Sequence, residues 1–441
     1  MFNMDSNQLG RPLHLYESLT SSMCISITLQ VCGHIAKDAV LNAFSLVRAR
    51  HPYFRMRLVA DPLLPNKLNY VEDPFQKGRI VVEKGPVSES TWQTRLERLS
   101  NSHRNPDGSL AEIVLVSDPH GDRHQIFFRI NHGGIDGPGV FAAVESFLDY
   151  LGQVVAGDDV EPSESLNFID ILGRIPDGAA EFPAPDLPTE YMPPLQFATD
   201  ADPATKATIN GTWFDLDEAT TAALVSACHG RGCTIQGALT FAELVATCIE
   251  QAGSYPLPQD VVFMAPANMR PFVDPPVGNE NAVCGSAGVL WSQHIEPDQQ
   301  AWDTISAMNE NLRKQLDNRS GLGWWARFEQ GQFNPPPTFM VSSIGVAPFH
   351  RDYGPGLQLE AAWVLGGAYD QATIGRAGIM THAYTVNERF QVTFATTRPP
   401  ITAEWAVQFA GIERLVLEGL ASEKCDLIAI GEIIEKFGLR S

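Results

Sequence analysis

The stretch RINHGGIDGPG, Arg129–Gly139, decides how this chain is read. Its first two residues close the apolar run RHQIFFRI (123–130), which has the composition of a β-strand. The strand then runs into a histidine, two glycines, an aspartate and Gly-Pro-Gly. Loops at strand ends are where a rigid scaffold presents reactive groups. Gly133 and Gly134 remove bulk beside His132, permit positive φ and leave room for a substrate. Asp136 stands four residues after His132, near a helix start, where a carboxylate caps or pairs with a cation. Pro138 suits the first helical turn because its missing N–H would be unpaired there anyway. A plain strand–turn–helix connection, with a capping aspartate and an incidental histidine, accounts for the same residues, and composition alone leaves both readings open. A metal site is not expected. No second histidine stands at ligand spacing, since His120 and His124 lie in or just after the turn before the strand. Nor does the loop suit a phosphate: no lysine follows the glycines, and G-x-G-x-x-G is absent.

Outward from this stretch, both halves of the chain read as mixed α/β. Upstream, SMCISITLQVCG reads as a strand and IAKDAVLNAFSLVRARHP as a helix stopped by Pro52, with Ile35, Val40, Ala43, Phe44 and Val47 at helical spacing. YFRMRLVA, RIVVEK and AEIVLVS read as strands, and residues 88–101 as a helix. Downstream, Val140, Phe141, Val144, Phe147, Leu148 and Leu151 form an amphipathic stripe. A proline-dense segment without clear period follows, and such segments are usually linkers or crossovers. The expected organisation is therefore a first domain over 1–175, a linker or crossover over 176–205 and a second domain over 206–441. The second half repeats the grammar of the first, and its run LQLEAAWVLG is read as one of its own strands. The fold class is α+β, with helices segregated from mostly antiparallel strands.

Composition narrows the function classes. With 31 basic and 52 acidic side chains the net charge is -21, which argues against nucleic acid or an anionic membrane as the main partner. The seven cysteines include no CxxC pair and sit mostly in apolar surroundings, so buried reduced thiols are expected. The N-terminus shows no apolar signal core, and no apolar run of membrane-spanning length is evident, so the cytosol is the default location.

NHGGIDG resembles the HHxxxDG motif of the acyltransferase superfamily that includes chloramphenicol acetyltransferase, nonribosomal peptide condensation domains, plant BAHD acyltransferases, alcohol acetyltransferases and polyketide-associated acyltransferases. His132 matches the second, catalytic histidine, and Asp136 and Gly137 match the DG. LNAFSLVRARHPYFRMRL resembles the early helix and RHPxLR signature of condensation-type members. APANMRPFV resembles their vNxRP strand, and VSSIG their SNxG segment. These elements stand in family order across almost the whole chain. Two departures are evident: Asn131 replaces the first histidine, and Ser343 stands where many relatives carry asparagine, while Ser342 keeps the serine.

The resemblance implies a V-shaped pair of chloramphenicol-acetyltransferase-like α/β domains, with a tunnel at their interface and the motif at its middle. It implies an acyltransferase of secondary metabolism that moves an acyl group from a CoA or carrier-protein thioester to a hydroxyl or amine of a small-molecule acceptor. His132 would be the general base, a task suited to an imidazole of pKa near ~6.5. No covalent acyl-enzyme and no tightly bound cofactor is expected. Asp136 would face away from the tunnel and pair with an arginine, Arg270 first and Arg55 second, while a solvated surface charge is the other reading of Arg270. Ser342, or else a serine satisfied by backbone, is the candidate donor to the oxyanion. Trp324 and Trp325 could line an acceptor pocket, with core packing expected for at least one of them. Asn131, Gly133, Gly134 and Gly137 would support the loop, with Ser343 beside the substrate. A monomer is expected, with a carrier protein as a conceivable partner. Two alternatives use the same fold: a condensation-like cyclase, kept open by the missing first histidine, and a catalytically silent binding protein.

Overall fold

The structure is a computed structural model that describes the chain apart from residues 1–9, 65–66, 74–78, 103–104, 106–107, 119–121, 198–206, 369–377, 423–428 and 439–441. His120, Cys425 and the last part of the proline-dense segment lie outside the described residues. The chain forms two compact units. The first comprises Met1–Arg174, Val273–Gly285 and Ala347–Thr373; the second comprises Ile175–Phe272, Ser286–Val346 and Ile374–Ser441. This corrects the division into consecutive blocks, because two later segments belong to the first unit.

The first unit is built on a five-stranded sheet in the order Gln358–Ala368, Met23–Cys32, Arg123–Asn131, Ala111–Ser117, Arg79–Lys84. All pairings are antiparallel except the last. The strand Arg123–Asn131 is central and buried along almost its whole length, which is why it reads as a nearly continuous apolar run. Phe128 meets Phe147 edge-on at 4.9 Å and Phe44 at 6.4 Å, so one face packs on the helices Gly137–Ala156 and Lys37–Arg50. On the other face Arg129, first residue of the quoted stretch, pairs with its cross-strand partner Glu112 at 2.8 Å; both side chains are buried.

The edge strand Gln358–Ala368 carries the LQLEAAWVLG run. Leu359, Ala362, Val364 and Leu365 are buried there, and Trp363 stacks on Trp92 at 5.4 Å. Its apolar pattern suits either sheet, so only tertiary pairing places it in the first. The helix Gly137–Ala156 is long and apolar enough to cross a bilayer, a length the sequence reading did not register. Its stripe Val140, Phe141, Val144, Phe147, Leu148 and Leu151 is buried in this unit's interior. Each such side chain contributes about 1.5–3 kcal/mol relative to exposure. Gly157 ends the helix in the left-handed conformation at φ 87°.

The second unit holds a six-stranded sheet in the order Ser286–Ile295, Gln259–Asn268, Phe339–Val346, Ile379–Val386, Arg389–Arg398, Thr208–Leu216. Phe339–Val346 runs parallel to both neighbours, and the other pairs are antiparallel. Phe263, Val341, Ala383, Val392, Phe394 and Phe214 face one core with residues of the helices Ile235–Gln251 and Ala403–Ala421, such as Phe241, Leu244 and Phe409. The described part of the proline-dense segment is not a free tether. Met192 is buried in this core and donates its N–H to the Asp260 carbonyl at 2.8 Å, and the Arg327 guanidinium donates to the Phe182 carbonyl at 2.8 Å. Two helices absent from the sequence reading, Ser320–Glu329 and Ile430–Gly438, complete the unit.

Candidate active site

Asn131 ends the central strand, and its N–H still donates to the Leu110 carbonyl at 2.7 Å. The chain then turns, with the His132 N–H donating to the Met23 carbonyl at 2.9 Å. The His132 ring folds back over its own turn. Nδ1 lies 2.7 Å from the carbonyl oxygen of Ile135. A carbonyl only accepts, so Nδ1 carries the proton and Nε2 is left with its lone pair. The side chain is half-buried. Desolvation pulls its pKa below the usual imidazole value, partly offset by hydrogen bonds to backbone and by the charge of Asp136. The imidazole is therefore neutral at pH 7, with one tautomer fixed.

Asn131 is 1% exposed and uses both ends of its amide. Nδ2 donates to the Ser21 carbonyl at 2.8 Å, and Oδ1 accepts the Gly133 N–H at 2.9 Å. Its own carbonyl accepts the Tyr53 hydroxyl at 2.7 Å. The glycines answer a different need from the expected one. Neither Gly133 nor Gly134 has positive φ. A Cβ on Gly134 would stand 2.7 Å from Tyr53 Cε2 and 2.8 Å from Tyr70 Oη; one on Gly133 would stand 2.9 Å from Asn131 Oδ1. They let the turn press onto two buried tyrosines, so the room they make is taken by protein.

Asp136 caps the helix Gly137–Ala156. Its Oδ1 accepts the Gly139 N–H at 3.0 Å, and its Oδ2 accepts the Gly285 N–H at 2.9 Å. Its own N–H donates to the Val283 carbonyl at 3.2 Å. The carboxylate thus ties the loop to a segment almost 150 residues away, within the same unit. Gly137 is the first residue of that helix. Arg55, the second-choice partner for Asp136, is committed elsewhere: Nε donates to Glu72 at 2.8 Å, and Nη1 donates to the carbonyls of Arg48 and Ala49, at the end of the helix Lys37–Arg50.

The remaining candidates belong to the second unit. Arg270 is fully buried, which removes the reading of a solvated surface charge; its N–H and Nη1 both donate to Asn268 Oδ1, at 3.1 and 3.3 Å. Ser342 and Ser343 are half-buried on the strand Phe339–Val346. The Gln236 side chain clamps this strand, accepting the Ser343 N–H at 3.1 Å and donating to the Val341 carbonyl at 3.4 Å. An irregularity follows at Gly345, φ 94°. Trp325 is fully buried core, whereas Trp324 is half-buried and packs on Phe328. Among the described residues no group of three or more His, Cys, Asp or Glu could hold a metal ion.

Both units have counterparts among solved structures. Polyketide synthase associated protein 5 from Mycobacterium tuberculosis is 18% identical with TM-score 0.70, over 94% of this chain and 100% of that one. Trichothecene 15-O-acetyltransferase from Fusarium sporotrichioides is 12% identical with TM-score 0.70, over 95% and 97%. The epimerization domain from the third module of tyrocidine synthetase B is 15% identical with TM-score 0.70, over 96% and 100%. The family model described as phthiocerol/phthiodiolone dimycocerosyl transferase C-terminus matches residues 206–395. The chain has the fold of these structures, and the family model is similar to it over less than half of its length. No curated protein matches it by sequence similarity. The residues matched by the family model include Arg270 and Ser342 but not His132.

Against the HHxxxDG pattern that the loop resembles, Asn131 stands at the first-histidine position with an amide that bonds the turn. Tyr53, Tyr70 and the Val283–Gly285 segment also shape the loop and were not anticipated. No local pattern marks them, because they arrive from other elements. His382 is a further residue beside a candidate: it is the register partner of Ser342.

Proposed function

We propose that the protein transfers an acyl group from a thioester to the hydroxyl, or amine, of a small-molecule acceptor, with His132 as the general base. The observation that carries this reading is the hydrogen bond from His132 Nδ1 to the Ile135 carbonyl, which leaves Nε2 unprotonated. Nε2 takes the proton of the acceptor hydroxyl as its oxygen bonds to the thioester carbon. The tetrahedral oxyanion accepts a hydrogen bond from Ser342 in this scheme, a contribution of about 2.7–4 kcal/mol where such donors have been removed. The carbonyl then re-forms, the carbon–sulfur bond breaks, and the departing thiolate takes the proton from His132. No acyl-enzyme forms. Asp136 holds the loop and does not exchange protons, because both of its oxygens already accept backbone N–H groups.

Support comes also from the company of the fold, which includes a 15-O-acetyltransferase and condensation domains. The donor is a CoA or carrier-protein thioester. The test is thiol release from a panel of acyl-CoA and acyl-pantetheine donors with hydroxyl acceptors. Acceptor-dependent release that disappears in His132→Ala supports acyl transfer. Release that persists in a folded His132→Ala protein overturns the base assignment, and ring closure of a substrate without thiol release favours a cyclase.

A further inference from the structure

The strand Phe339–Val346 carries Ser342 past a place where its sheet opens. Its ladder with Gln259–Asn268 has its last register partners at Met340 and Met264. Gln259–Asn268 stays paired to its other neighbour as far as Asn268, so the two strands part after Met340. On the side of Ile379–Val386 the register slips between Ser343 and Gly345. Ser342 therefore stands where one ladder has ended and the other is about to break. A side chain takes the place of the departed strand. Gln236 lies in the first turn of the helix Ile235–Gln251, whose start is fixed from outside the sheet: the N-cap Thr234 accepts the Gly237 N–H at 3.2 Å and donates its own hydroxyl to Asn309 Oδ1. The Gln236 amide then has one orientation. Nε2 donates to the Thr240 hydroxyl at 3.0 Å and to the Val341 carbonyl at 3.4 Å, and Oε1 accepts the Ser343 N–H at 3.1 Å. Thr240 gives its own proton to the Gln236 backbone carbonyl at 2.7 Å, so toward the amide it only accepts. Turned over, the amide would set its oxygen against the Val341 carbonyl and its N–H₂ against the Ser343 N–H.

We propose that Gln236 is a positioning residue for Ser342: its amide holds the two peptide groups that flank Ser342 and so sets the direction of that side chain. A peptide group is planar, which leaves each residue two soft dihedrals, φ and ψ. The Val341 carbonyl belongs to the plane before the Ser342 Cα, and the Ser343 N–H to the plane after it. Gln236 bonds one atom of each. One amide therefore fixes both dihedrals of Ser342, and with them the Cα–Cβ direction and the rotamers open to the hydroxyl. Val341 faces the core that this helix shares, so Ser342 points to the opposite face. An oxyanion donor works because its direction is set before the reaction begins. Pairing with Gln259–Asn268 cannot set it here, because that ladder has ended. The inference rests on the acyl-transfer reading for what the Ser342 hydroxyl does, but not for the hold on its backbone.

The test has two independent arms. In the kinetic arm, Ser342→Ala lowers kcat about 10²–10³-fold, the usual loss for one oxyanion donor. Gln236→Met, of similar length but with neither bond, forfeits part of that contribution and lowers kcat about tenfold with KM little changed. Gln236→Glu keeps the acceptor for the Ser343 N–H and recovers part of the loss. In the Ser342→Ala background neither substitution has a further effect on kcat. Losses that multiply in the double variants overturn the proposal, since a merely weakened fold costs the same in both backgrounds. Should the methionine variant fail to fold, Gln236→Glu completes the cycle in its place. In the exchange arm, amide hydrogen exchange is followed in ¹⁵N-serine-labelled protein, with the Ser343 signal assigned by its absence from Ser343→Ala. Gln236→Met speeds exchange at Ser343 and leaves Ser226, in the helix Glu218–Gly230 of the same unit, unchanged; Gln236→Glu leaves both protected. Exchange at Ser343 that Gln236→Met does not move, or that rises equally at Ser226, overturns the proposal whatever the enzyme's activity. If Ser343 alone responds but the wild-type protein shows no acyl transfer with any thioester, the hold on Ser342 stands and the acyl-transfer reading falls.

Discussion

In the first unit, each polar group around His132 is tied to a backbone atom: its Nδ1 to Ile135, the Asn131 amide to Ser21 and Gly133, the Asp136 carboxylate to Gly139 and Gly285. In the second unit, Ser342 stands in register with His382, and His382 with Thr393, on neighbouring strands. The difference teaches where rigidity comes from. The loop has no regular hydrogen-bond ladder, so side chains must take up its orphan N–H and C=O groups. The strands already satisfy their backbones, around Ser342 with the help of Gln236, so their own side chains need not take up orphan backbone groups. Damage to the bonds that Asp136 and Asn131 make across the loop should therefore cost stability and activity together, while loss of the Ser342 hydroxyl should cost activity alone.

The largest effect is expected at His132. Replacement with alanine should lower kcat about 10²–10⁴-fold, the usual share of general acid–base catalysis. Its hydrogen bond to Ile135 closes a local turn only, so the melting temperature should move little. Steady-state kinetics with a thermal melt on the same sample check both halves, and turnover near the wild-type rate would remove His132 from the reaction.

Asp136→Asn sharpens the contrast. The amide keeps one acceptor but turns an N–H₂ toward a backbone N–H, so one charge-assisted bond is lost and one buried donor is stranded. A stability loss of about 2–3 kcal/mol is expected, accompanied by loss of activity. Ser342→Ala, by comparison, should stay within about 0.5 kcal/mol of wild type in urea unfolding. Equal stability losses at the two positions would break the comparison.

The pH profile follows from the neutral His132. Its folded pKa lies below the ordinary value of 6.5, with desolvation as the largest cause. The base is competent when unprotonated, so kcat/KM should hold as pH falls past 6.5 and decline only through the depressed pKa. A limb above 6.5 would mean that another group titrates. The same shift carries a stability sign. Protonation is disfavoured in the folded state, so this group's contribution is present above 6.5 and is lost as pH falls from there through the depressed pKa.

Most of the loop was legible in the sequence, because its bonds are short-range. Asp136 caps the N–H of a residue three positions on, and the helix stripe from Val140 to Leu151 follows from period alone. What was misread there was the purpose of the glycines, since Tyr53 and Tyr70 come from elsewhere in the chain and carry no local mark. The row of register partners in the second unit could not be read at all. Ser342, His382 and Thr393 sit on three strands, and a slip of one residue in any pairing would turn a member to the other face. The same blindness placed Gln358–Ala368 in the wrong unit. An alternating apolar run states that it is a strand, not which sheet receives it.

The smallest effect is expected at Asn131, and it tests whether the loop's bonds or its residue identity matter. The amide presents one donor and one acceptor, bound to the Ser21 carbonyl and the Gly133 N–H. A neutral imidazole also offers one N–H and one bare nitrogen, and the HHxxxDG pattern that the loop resembles has a histidine at this position. Asn131→His should therefore keep both bonds. It should cost about 1 kcal/mol or less, mainly for the larger ring at a position that is 1% exposed. Asn131→Leu has similar bulk but neither bond, so it strands a buried carbonyl and a buried N–H, at about 1–3 kcal/mol each. Urea unfolding of the two variants, with thiol-release rates beside it, separates the cases. Histidine tolerated and leucine not means that the first position of the motif serves the turn, and that Asn131 does the work of the missing histidine. Loss of stability in both means that the fit of the amide itself is required. A large gain in rate on Asn131→His, with stability unchanged, would show that the first histidine takes part in the chemistry, and the assignment of a lone base to His132 would have to be given up.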